Sequence, residues 1–158
     1  MKDFDIVVKG NLELSVNGAD GYIRIPENVK MDVARDRADL TLDAADCNGK
    51  ALIEVPVNSE HIEIKCEGSK IDIRNISFDE FEIDSKGDVE VNIEDIRGEL
   101  SINLIDATAT VTVKPETRFN VVNKGKGNIV TYDGATYNDA DLTIEINGKN
   151  SELKILTK

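Results

Sequence analysis

Carboxylates are the most abundant chemical groups in this sequence. Asp79, Glu80, Glu82 and Asp84 fall in one short stretch, and Glu90, Glu94 and Asp95 in the next. Acids that alternate with apolar residues project from one face of a strand, and strands stacked in register bring the acids of neighbouring segments together. Glycan hydrolases assemble their paired carboxylates in this way, one as acid and one as base or nucleophile. Two considerations oppose that reading here. Like charges directly opposite across strands repel, and Lys65, Lys70, Arg74, Lys86 and Arg97 lie among the acids. The pattern therefore predicts a solvated outer face of mixed sign, with no catalysis, no cofactor and no metal centre.

The other candidates are sparse. His61 is the only histidine. It adjoins Ile62 at a strand entrance, with no nucleophile to serve as a base and no His or Cys companion to share a metal, so its role is structural or incidental. Cys47 and Cys66, the only cysteines, are separated by 19 residues. If that is one stacking step, their spacing of about 4.8 Å is compatible with a cross-coil disulfide. The alternative, which we expect, is two reduced thiols, because Cys66 shares the parity of Ile62 and Ile64 and packs as a small hydrophobe. Gly125-Lys126-Gly127 resembles part of a phosphate-binding loop, but no helix follows to present its N-terminus. The calcium-binding GGxGxD repeat is absent from the sequence.

The elements that must carry these residues are clearest from His61 to Leu104. Ile62 and Ile64, Phe81 and Ile83, and Leu100 and Ile102 alternate with polar residues, glycine turns follow at Gly68 and Gly87, and Ile71/Ile73 and Val89/Val91 close the units. This is a strand, turn, strand repeat. Gly49, Gly68, Gly87 and Gly125 fall on a step of 19 residues, with Asp106 in the remaining place, whereas Ile76 to Ile96 is a step of 20. A short period of this kind marks a solenoid, whose units bury their faces by stacking. Pro26, Pro56 and Pro115 all follow apolar alternations and mark strand exits, since proline cannot donate to a ladder. In the stretch 32–46 alanine and arginine favour helix, but Leu40 and Leu42 keep strand parity. With Val33 they overlay Ile64, Ile71 and Ile73 at an offset of 31, which favours strands. Tyr22, Ile23 and Ile25 read as the start of a second strand, and Glu152 to Ile155 as a terminal strand flanked by lysines.

The expected fold is thus all-β: a β-solenoid, or right-handed β-helix-like roll, of short stacked strands with a repeat of about 19–20 residues. We expect one domain over 1–158, with an N-terminal cap region at 1–20 and C-terminal edge strands at 141–158. A core of Ile, Val, Leu and Ala fits the composition, which is 4% aromatic. The net charge of −12 disfavours nucleic acid and anionic lipid as partners. No apolar run approaches the length of a membrane span. The opening MKDFDIVVKG lacks the apolar stretch of a signal peptide, which suits an intracellular chain or a piece of a longer one.

Proline-exit strands, recurring glycine turns and the late INGKNSELKI of residues 146–155 resemble the bacterial putative-adhesin family of unknown function, also called toastrack domains. The resemblance spans about Leu12 to Ile155. It implies a stacked β-roll, an extracytoplasmic or envelope-associated setting, no established catalysis, and a protein or cell-envelope component as partner. The function expected is a non-catalytic interaction or scaffold domain that is able to form homo-oligomers. The alternatives are a self-assembling cytoplasmic scaffold of the bactofilin type and a calcium- or glycan-binding solenoid.

Overall fold

The computed structural model describes residues 2–21 and 23–158; Tyr22, expected to open a strand, lies outside them. Among the described residues the alternating segments form thirteen strands: β1 (Asp3–Lys9), β2 (Glu13–Ala19), β3 (Lys30–Ala34), β4 (Arg37–Asp43), β5 (Lys50–Pro56), β6 (His61–Cys66), β7 (Lys70–Ser85), β8 (Val89–Ile105), β9 (Thr108–Val113), β10 (Asn120–Asn123), β11 (Ile129–Tyr132), β12 (Leu142–Lys149) and β13 (Glu152–Thr157). The stretch in which helix and strand competed is β3 and β4. Ile23 and Ile25 flank a single antiparallel bridge from Arg24 to Glu54 and form no longer strand among the described residues.

All thirteen strands join one sheet, which folds on itself into two walls. The front wall runs β3-β4-β1-β6-β7-β8-β12-β10, and the back wall β5-β2-β7-β8-β9-β13-β11. Strands β7 and β8 turn a corner and serve both walls: residues 70–74 of β7 pair with β2 at the back, and residues 80–85 pair with β6 at the front. Neighbours are parallel except β3 and β4. This is the expected β-solenoid architecture. Each coil gives one strand to each wall, and their inward side chains form a single apolar cluster in which Phe4, Ile62, Ile64, Ile71, Ile73, Phe81, Ile83, Leu100 and Ile102 are fully buried.

The coils do not stack in chain order. In space they run 37–56, 3–19, 61–76, 80–93, 99–113, 142–157 and 120–132. Residues 1–20 are therefore not a cap, because β1 is paired on both sides by β4 and β6, and β2 by β5 and β7. Nor are 141–158 edge strands, because β12 lies between β8 and β10, and β13 between β9 and β11. At each end the chain folds an internal segment over the terminal one. The physical reason lies in the inward faces: Phe4, Ile6, Val8, Leu12, Leu14 and Val16 are at most 3% exposed, and so apolar a coil gains most from neighbours on both sides.

The period is 19 on the front wall, where His61, Glu80 and Glu99 align, and 20 on the back wall, where Lys70, Glu90 and Thr110 align. A register shift between Ser77 and Glu80 absorbs the difference. The offset of 31 has no structural counterpart. Leu40 and Leu42 stand opposite Ile6 and Val8 in the front wall, whereas Ile71 and Ile73 belong to the back wall.

The corner after each front-wall strand needs a left-handed residue. Gly10, Gly68, Gly87, Asp106, Asn150 and Gly127 occupy it, with φ between 52° and 139°. Of the expected series, Gly68, Gly87 and Asp106 stand at this corner. Gly125 is displaced by Gly127, and Gly49 belongs to a wider corner in which Asn48 also has positive φ. Ser85 ties successive corners, accepting from the Gly68 N–H at 3.3 Å and donating to the Gly87 carbonyl at 2.9 Å. Pro56 closes β5 and Pro115 follows β9, while the Pro26 carbonyl accepts the turn hydrogen bond of Val29.

Cys47 and Cys66 are free thiols. The disulfide geometry fails because coil 3–19 intervenes between their coils. Two stacking steps separate the backbones by roughly 9–10 Å, beyond the Cα range of a disulfide.

Candidate functional site

The outward side chains of the two walls differ in charge pattern although the stacking that aligns them is the same. Across the back wall one column reads Lys50, Glu13, Lys70, Glu90, Thr110, Lys154, so cations and anions alternate. Across the front wall the central column reads Asp39, Asp5, Glu63, Glu82, Ser101, Glu145. The adjacent column adds Arg37, Asp3, His61, Glu80 and Glu99. The mixed-sign outer face expected from sequence is therefore the back wall, which takes Lys70 and Arg74. The central column of the front wall aligns like charges, although Lys65 beside it stands opposite Asp84 and pairs with Glu63 at 3.5 Å.

Local contacts relieve part of this repulsion. Arg37 contacts Asp5 and donates from Nε to Asp39 at 3.0 Å. Asn103 Nδ2 donates to Glu82 at 2.7 Å and to Asp84 at 2.5 Å. Glu145, only 4% exposed, accepts from Ser101 at 2.9 Å and pairs with Lys124 at 2.8 Å. His61 Nε2 lies 3.3 Å from Glu80 and 3.7 Å from Glu82. His61 thus has the companions that its sequence neighbourhood did not reveal, though they are carboxylates. The ligand atoms of Asp5, His61 and Glu63, and those of His61, Glu80 and Glu82, each gather within 4.8 Å. These are the described residues best placed to meet a divalent ion.

Burial first, and the remaining repulsion second, act on two of the acids. Partial burial, then Asp84 and Glu63, raise the Glu82 pKa above the ordinary 4.5, against the opposing hydrogen bond from Asn103. Glu99 is raised by burial and then by Glu145, with Lys124 opposing. A carboxyl whose folded-state pKa exceeds its unfolded one favours the native state while protonated, so its stabilisation is lost as pH rises through the folded value. Glu82→Gln keeps an acceptor for Asn103 and removes the charge. Its stability at neutral pH is expected to exceed that of the parent by roughly 0.5–1 kcal/mol, the scale of a cross-strand charge pair. In denaturant melts at stepped pH that advantage should shrink on acidification towards 4.5; an advantage independent of pH would show that charge is not its source.

Beside the acidic columns runs an open groove of about 1140 Å³. Its floor includes Val7, Lys65, Asp84, Asn103 and Asn147, which stand in register on β1, β6, β7, β8 and β12. Four strand spacings make it about 19 Å long. Val7 and Ile105, 38% and 70% exposed, give it apolar footing. Strand alternation placed Lys65 and Asp84 outward. It did not reveal the groove, which depends on the inserted N- and C-terminal coils.

A crystal structure of a putative cell adhesion protein from Clostridium sporogenes superposes with a TM-score of 0.59, at 14% identity, over 99% of this chain and 93% of that one. The chain shares the fold of that protein. A putative adhesin from Bacteroides fragilis is more distant, with a TM-score of 0.43 and 15% identity, over 100% of this chain and 93% of that one. No family model matches the chain, and no curated protein does. The resemblance read from the sequence thus holds at the level of the fold. The described residues include no helix long and apolar enough to cross a membrane.

Proposed function

We propose that this protein is a non-catalytic, adhesin-like interaction module that holds an extended, positively charged segment of a protein or cell-envelope polymer along its front wall and groove. The observation that carries the reading is the contrast between the walls. The back wall alternates charge along its column and the front wall does not, so the like-charge column is not imposed by the fold. A cationic partner laid across the strands neutralises it, as electrostatic complementarity requires. The groove supplies length and the exposed Val7 and Ile105 supply apolar contact. The name of the Clostridium sporogenes protein, a putative cell adhesion protein, fits the same role.

A glycan-cleaving reading fits less well. Glu99 and Glu145 interact as a carboxylate pair, but Glu145 is buried against Lys124 and Ser101 with little surface left for a substrate.

Calorimetric titration with an oligolysine tests the proposal. Binding is expected to weaken steeply with salt and to fall about tenfold or more in Asp5→Asn/Glu63→Gln/Glu82→Gln. The back-wall control Glu13→Gln/Glu90→Gln should retain it. Equal losses in both variants, or no binding by the parent, would reject the front wall as the contact face.

A further inference from the structure

The two walls end in four edges, and three of them are short or blocked. Strand β5 is covered by Arg24, whose N–H and carbonyl both bond to Glu54, at 2.9 and 2.8 Å. Strands β10 and β11 have four residues each. Next to β10, the segment carrying Tyr137 folds back, with its N–H on the Phe119 carbonyl at 2.9 Å.

The fourth edge is β3. Its five residues are all exposed, and among the described residues its outer side pairs with no strand. Met31 and Val33 stand opposite the buried Leu40 and Ala38. They therefore point to the core side of the wall, yet remain 39% and 52% exposed. Lys30, Asp32 and Ala34 point the other way. An edge of this length with unburied apolar side chains on its core side is a template for another strand.

The sequence of β3 selects itself as that strand. In an antiparallel pair, residues directly opposite share a face, so a two-fold axis must pass through a residue, not between two. Centred on Lys30, the axis sets lysine against lysine; centred on Asp32, aspartate against aspartate; centred on Val33, Met31 against Arg35. Centred on Met31, it sets Lys30 against Asp32 of the second copy, twice, and Met31 against Met31, while Val33 falls opposite Val29, which the core already buries. Of the four, that register alone sets each charge of β3 against its opposite.

We propose that the chain forms a closed two-fold dimer by antiparallel pairing of β3 with β3 of a second copy, centred on Met31. The front walls of the two copies become one continuous sheet, and the exposed Met31 side chains cover each other. The interface is isologous and consumes the open edge, so assembly stops at two.

Sedimentation over a concentration series at about 0.15 M salt should show a monomer–dimer equilibrium. Lys30→Asp and Asp32→Lys each turn two attractive pairs into repulsive ones, and each should weaken the dimer about tenfold or more. A general effect of net charge would move these variants in opposite directions, since one adds negative charge and the other removes it. An equimolar mixture of the two restores both pairs and should dimerise as the parent does, as should the double reversal in one chain. A parent that stays monomeric overturns the proposal, as does growth beyond two, opposite shifts in the single variants, or a mixture that fails to associate. All the substituted side chains are exposed, and circular dichroism of each variant checks that it is folded.

Discussion

A chain lacking residues 1–20 is expected to lose its fold entirely, with no cooperative transition on heating and no protected amides. The segment contributes β1 and β2, hydrogen-bonded on both sides. Its buried side chains Phe4, Ile6, Val8, Leu12, Leu14 and Val16 belong to the central core. At about 1.5–3 kcal/mol each, six such side chains amount to roughly 10 kcal/mol or more, the size of a domain's whole stability. Removing them also separates coil 37–56 from coil 61–76. A terminal cap would behave differently, its loss peeling one layer and lowering the melting temperature by a few degrees. A truncated chain that melts cooperatively would therefore contradict the interior position of this coil.

Gly148→Ala should be the most damaging single glycine substitution. Gly148 adopts φ +131°, a region close to the exclusive property of glycine. A Cβ there would strike the Leu104 carbonyl oxygen and lie 2.9 Å from the Leu104 nitrogen. On the other side the Gly148 carbonyl accepts from Lys126 at 3.2 Å, and a Cβ on Gly125 would collide with it. Three backbones of the β8, β12 and β10 layers are thus in close approach, and none can yield without parting from another. Backbone strain and overpacking together cost about 3–5 kcal/mol, or a fall of about 10 °C or more in melting temperature for a chain of this size. Gly134→Ala is the control. Gly134 also has positive φ, at 80°, but nothing lies within 4 Å of the added carbon, so its cost should stay near 1 kcal/mol. Similar losses in the two variants would mean that conformation, not close approach, governs both.

The parts of the fold legible in the sequence are those set by neighbours along the chain. Alternation at Ile62/Ile64, Phe81/Ile83 and Leu100/Ile102 identified the inward faces, because strand parity is local. The 19-residue step from Cys66 to Ser85 to Leu104 is a true stacking step, because those coils follow one another in space. The same arithmetic failed from Cys47 to Cys66, where the coil from the N-terminus intervenes. It also missed Gly10, Asn150 and Gly127 at the left-handed corner. No local signal reports that a terminal coil is inserted behind an internal one, since the inserted strands have the same parity and composition as any other.

The candidate face was half legible for the same reason. Parity placed the acids and lysines outward, but their sign pattern depends on which strands are neighbours. Asp5 meets Glu63 only because β1 lies beside β6. His61 acquires Glu80 and Glu82 by the regular step, which the period implied, and Glu145 reaches Ser101 across 44 residues of chain, which it did not.

The insertion of the terminal coils also fixes how the molecule would carry tension. A pull applied between Lys2 and Lys158 enters through β1 and leaves through β13, each held by parallel ladders on both flanks. Coils 37–56 and 120–132 lie outside that load path and brace it from either end. The first strands to be stressed are therefore not edges that peel away bond by bond, but interior strands that must be sheared from two neighbours at once.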